Sequence, residues 1–118
     1  MIVEVDLYSG RPNPRFPLEP AAAGELARRI EALAPAGAGA RPRDGLGYRG
    51  LRVRTGPDDD ATAAEIVVSG GLVTLHDPDG PPRRLRDPGR QLERWLLDQG
   101  AGNLDPEVLA TVRQDLAR

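Results

Sequence analysis

The chain has 118 residues, no cysteine and one histidine, with 16 basic against 18 acidic side chains and a formal net charge of −2. That length suits one domain able to bury its own core. The composition excludes disulfides, thiolate chemistry and Cys-based zinc sites, and nearly excludes a His-based metal site. Slight acidity, with only one Phe, one Trp and two Tyr for base stacking, argues against a nucleic-acid partner.

The opening MIVEVDLYSG has neither the basic region nor the apolar run of a signal peptide. Val3, Val5 and Leu7 alternate with Glu4 and Asp6, the pattern of a half-buried strand. The strand runs into Tyr8-Ser9-Gly10-Arg11-Pro12-Asn13-Pro14-Arg15-Phe16-Pro17-Leu18, the densest unusual chemistry in the chain. Each proline fixes its own φ near −65° and keeps its predecessor out of helical geometry. Gly10 admits positive φ, and Asn13 can bond back to its own backbone and close a turn. The segment 8–18 reads as a stiff loop carrying Tyr8, Ser9, Arg11, Asn13, Arg15 and Phe16 as candidate binding residues. A structural role competes: the prolines route the chain, and Phe16 and Leu18 plug the core.

Glu19-Pro20 opens a helix with proline at its first position. Ala22, Leu26, Ile30 and Leu33 form its apolar stripe, with Glu25 and Arg29 paired outside. Residues 35–47, rich in Gly, Ala and Pro, read as a flexible surface loop. Tyr48 to Thr55 alternates again, with Leu51 and Val53 on one side and Arg52 and Arg54 on the other. Asp58, Asp59 and Asp60 invite a metal reading, but adjacent side chains diverge where hard cations need converging oxygens, so a solvated turn fits better. Ala64–Ser69 and Leu72–His76, joined by Gly70-Gly71, read as a tight hairpin, because primed turns need positive φ. Asp77-Pro78-Asp79-Gly80 is a further turn, followed by a short edge strand around Arg84-Leu85-Arg86. Asp87-Pro88 starts a second helix with Leu92, Trp95, Leu96 and Gln99 inward, ended by Gly100, and with Arg94 and Asp98 paired outside. Asp105-Pro106 starts a terminal helix with a thin stripe of Leu109, Val112 and Leu116, expected to leave 104–118 loosely docked.

The order β-α-β-β-β-α-α defines one α+β domain over 1–118, with about four largely antiparallel strands and helices on one face. The other face is expected to carry Glu4, Asp6, Arg52, Arg54 and Glu65. No segment approaches the ~18–20 apolar residues of a membrane span. The chain is expected to be soluble, cytoplasmic and free of membrane and cofactors, as monomer or homodimer. All basic residues are arginine, and Ala, Gly and Pro abound, the codon bias of a high-GC bacterium.

No nucleophile elbow, Walker loop, dinucleotide fingerprint or zincin motif is present. The surviving catalytic option is acid–base or anion chemistry by Arg11, Asn13, His76 and Arg86, which requires the 8–18 loop to lie near the end of the hairpin's second strand. The favoured reading is a non-catalytic binding or accessory protein whose stiff 8–18 loop recognises a partner protein or peptide, since a pre-organised loop loses little entropy on binding. A third is a subunit that dimerises through its terminal helix or a sheet edge. The element order, with an opening strand leading into Ser9-Gly10, resembles emfourin-type inhibitors of bacterial metallopeptidases. That likeness is one of pattern, and no residue role follows from it.

Overall fold

A computed structural model describes residues 1–37, 39, 47–54 and 64–117. Its sheet is built from β1 (Ile2–Val5), β2 (Arg15–Pro17), β3 (Leu51–Arg54), β4 (Glu65–Ser69), β5 (Leu72–His76) and β6 (Arg83–Arg86). The strands lie in the order β2-β1-β3-β4-β5-β6, every neighbouring pair antiparallel. The helices are α1 (Pro20–Glu31), α2 (Gln91–Gln99) and α3 (Pro106–Leu116), with a 3-10 turn at Pro88–Arg90 before α2.

The sheet therefore has six strands where about four were expected. The strand added inside the 8–18 segment is β2: Val3 pairs with Phe16 and Glu4 with Arg15. Flanking prolines hide so short a strand, because they break the alternation that marks longer ones. The loop proper is thus residues 6–14. At the other edge, β6 pairs along its length with β5.

Register sorts the side chains onto two faces. The rows Val3–Val53–Ile66–Leu75 and Val5–Leu51–Val68–Val73–Leu85 face the helices. They share one apolar cluster with Phe16, Leu26 of α1, Leu92, Leu96 and Leu97 of α2, and Val108, Val112 and Leu116 of α3. Each large side chain so buried contributes roughly 1.5–3 kcal/mol relative to exposure. The opposite face carries Glu4, Asp6, Arg52, Arg54 and Glu65, as the alternation implies.

The Gly70-Gly71 hairpin forms with both glycines at positive φ, 61° and 89°, and Ser69 opposite Leu72. Asp87 caps the second helix, but from a distance: its carboxylate accepts from Leu92 N at 2.8 Å and Glu93 N at 3.1 Å. The pairing expected between Arg94 and Asp98 is replaced. Arg94 donates to the Gly89 and Leu116 carbonyls, and Asp98 faces Arg113 at 3.5 Å. The terminal helix is fastened rather than loosely docked, since Val112 is fully buried and the Arg90 and Arg94 side chains reach the backbone of its last turn.

Of the expected flexible loop 35–47, Pro35 forms an isolated bridge with Leu85, and Ala36 N donates to Arg84 O at 2.9 Å. Most of its remainder, and Asp58-Asp59-Asp60, lie outside the described residues.

Candidate functional site

The loop between β1 and β2 turns on Asn13. Its Oδ1 accepts from Leu7 N at 3.0 Å and Tyr8 N at 2.7 Å, and its Nδ2 donates to Glu4 Oε2 at 3.0 Å. Asn13 has the carbonyl and the amide needed to fasten both sides of the loop at once. The base is closed by Val5 N donating to Pro14 O at 2.8 Å.

A second clamp comes from the residues before β3. Arg49 donates to Asp6 Oδ1 from Nε at 3.2 Å and Nη2 at 2.9 Å, and Nη2 also reaches Tyr8 O at 3.1 Å. The Asp6 hydrogen bond and charge raise the Arg49 pKa further above its already high ordinary value. Asp6 N and O pair with Gly50 O and Arg49 N, carrying the β1–β3 ladder past the ends of the strands. Gly50 has φ 123°, and a Cβ there would stand 2.7 Å from Val68 O and 2.6 Å from Ser69 Cβ, so only glycine fits.

On this base stands an exposed tip, Ser9-Gly10-Arg11-Pro12. The Arg11 guanidinium lies 3.7 Å from the centre of the half-buried Tyr8 ring, a cation–π contact that holds an exposed arginine in place. The other candidates fall elsewhere. Arg15 lies in β2 and pairs with Glu4 at 3.3 Å. Phe16 is 1% exposed and belongs to the core, so it offers nothing to a partner.

His76 is exposed at the end of β5 opposite Glu65, whereas Leu72 marks the end of β5 level with the 6–14 loop. β5 lies three strands from β1, so His76 is both across the sheet and at its other end. Arg86 lies four strands from β1, about 19 Å at ~4.8 Å per strand. The loop and His76 are not brought together.

The most buried polar cluster escaped sequence reading. Glu93, 0% exposed, accepts from Tyr48 Oη, Gly70 N at 3.0 Å, and Arg90 Nε at 3.0 Å and Nη2 at 2.9 Å. Arg90 continues to Asp115 O at 2.9 Å and Oδ2 at 3.0 Å. Burial, then the Glu93 charge, pushes the Tyr48 phenol far above its ordinary range, and the hydrogen bond to Glu93 raises Arg90. Glu93 stands one helical step from Leu96 and Leu97, so an acid on the apolar stripe was the available signal.

Among the described residues, hollows of about 330 and 440 Å³ are lined by residues of α2 and α3 and by the end of β2 with α1 and α2; Tyr8 to Pro14 line neither of these. Among the described residues, no three acidic or histidine side chains converge as metal ligands, and no helix is long and apolar enough to cross a membrane. The chain matches no protein-family model, no curated protein and no solved structure.

Proposed function

We propose that the protein is a small non-catalytic binding or accessory protein that presents the Ser9-Gly10-Arg11-Pro12 tip to a partner protein or peptide. One observation carries this reading: an exposed tip stands on a base fastened by Asn13 and Arg49. A loop already held in one conformation gives up little freedom when a partner closes on it. Arg11 supplies the recognition charge, Tyr8 orients it, and Asn13 and Arg49 are positioning residues. The catalytic alternative needs Arg11 and Asn13 beside His76, and their separation gives it no support.

The test is capture of partners from the native host by the wild-type chain, Arg11→Ala and Asn13→Ala. Arg11→Ala should lose the partner while folding normally. Asn13→Ala should weaken capture by loosening the loop. Equal capture by all three proteins overturns the proposal.

A further inference from the structure

The sheet face turned away from the helices divides into two halves by charge. On the β1–β3–β4 half every described arginine has a carboxylate. Arg15 meets Glu4 at 3.3 Å, Arg49 meets Asp6 at 2.9 Å, and Arg52 meets Asp6 and Glu65 at 3.4 Å each. Arg54 meets Glu65 at 3.9 Å. On the β6 half, Arg84 and Arg86 lie on this same face, because Leu85 between them points to the core. Among the described residues no carboxylate pairs with either of them.

A second observation falls on the same face. Among the described residues three buried side-chain polar atoms lack a hydrogen-bond partner: Arg52 Nε, which faces Asp6 Oδ2 at 3.4 Å, Ser69 Oγ and Arg84 Nε. Register puts all three there, Arg52 and Arg84 in the row Glu4–Arg52–Val67–Thr74–Arg84 and Ser69 in the row Ser69–Leu72–Arg86. Arg52 Nε has its ion pair with Asp6, so Arg84 Nε is the orphan donor that belongs to the β5–β6 half, where buried polar groups are normally satisfied.

We propose that the β5–β6 half of this face binds a short acidic segment of a partner polypeptide, its carboxylates taken by Arg84 and Arg86. Charge complementarity selects the occupant. The guanidinium fork matches a carboxylate in a two-point contact. On the other half Glu4, Asp6 and Glu65 already occupy the arginines, so a short acidic stretch over β5 and β6 meets the guanidinium groups that no described carboxylate takes. This surface is distinct from the Arg11 tip, and either can fail without the other.

The experiment is fluorescence anisotropy with a labelled oligoglutamate peptide at low ionic strength, with inorganic phosphate and a single-stranded oligonucleotide as competitors. Binding should saturate and weaken as salt is added. The double variant Arg84→Gln/Arg86→Gln should lose about tenfold or more in affinity, the loss expected when charge-assisted hydrogen bonds are removed. Lysine at both positions should retain part of it, and Arg11→Ala should match the wild type. Arg86→Gln alone, at an exposed position, should weaken binding in the same direction and serves if the double variant does not fold. Absence of saturable binding, equal binding by the glutamine variants, or stronger competition by the oligonucleotide or phosphate than by unlabelled oligoglutamate each overturns the proposal.

Discussion

At the scale of single residues, Glu93 has the most consequence for folding. It gathers donors from the segment before β3, the β4–β5 turn and the start of α2, and Arg90 extends the network to α3. Removing its carboxylate leaves the buried Tyr48 phenol without its acceptor and Arg90 with Asp115 alone. Glu93→Ala should therefore cost roughly 3–5 kcal/mol, the range for breaking a buried charge pair. Tyr48→Phe removes one hydrogen bond of several and should cost about 1–3 kcal/mol. Denaturant midpoints of the two variants check that order. Alkaline pH probes the same place. The folded state holds the Tyr48 proton more tightly than the unfolded chain, chiefly through burial and then through Glu93. The stability this confers is complete below the ordinary tyrosine value of about 10 and declines as pH rises beyond it. In a Tyr8→Phe background, Tyr48 tyrosinate absorbance should appear only together with unfolding, followed by Trp95 fluorescence. Ionisation in a still-folded chain would contradict this account.

At the scale of elements, what the sequence makes legible depends on repetition. The β4–β5 hairpin announces itself through two β-branched runs around Gly70-Gly71, and α1 through Ala22, Leu26 and Ile30 at helical spacing. By contrast, β2 has only Arg15, Phe16 and Pro17, too few for a period to emerge. Phe16 fills the core, as the structural alternative had it, and Asn13 is the fastening of the loop. Asn13 was singled out for partner recognition, and its polar atoms are engaged within the fold. Asn13→Ala should release the Leu7 and Tyr8 amides, whose hydrogen exchange should speed up while β4 and β5 amides are unchanged. The end of α2 is set by a contact no periodicity could reveal. A Cβ on Gly100 would stand 2.4 Å from the Phe16 ring. Gly100→Ala should therefore cost about 1–3 kcal/mol by overpacking, seen as a lower thermal midpoint. Adding Phe16→Leu should cost less in that background than alone, a non-additivity that reports the direct contact.

At the scale of the whole molecule, the fold class was legible and the sheet's width was not, because both missing or uncertain strands are edges. Those edges share a second property. Val5 N donates to Pro14 O and Leu18 N to Met1 O, so alternate residues of the β2 segment face β1. The backbones of Arg15 and Pro17 face outward, and Pro17 has no N–H to offer a new strand. At the opposite edge β6 is covered by residues 34–36, through Arg86 N to Ala34 O and Ala36 N to Arg84 O at 2.8 and 2.9 Å. Open edges template pairing with other chains, and short strands, proline and covering segments are how folded proteins prevent it. The terminal helix, the other surface considered for self-association, spends its apolar residues inside the core. Ala36→Pro removes the donor to Arg84 O and lifts the cover from β6 while touching no core side chain of the sheet. It should lower stability by only about 1 kcal/mol, yet increase concentration-dependent association relative to the wild type, measured by sedimentation velocity. If association is unchanged while the amide of Arg86 exchanges faster, the cover at 34–36 serves to anchor the end of α1 and the protection of that edge lies in the arginines of β6 themselves.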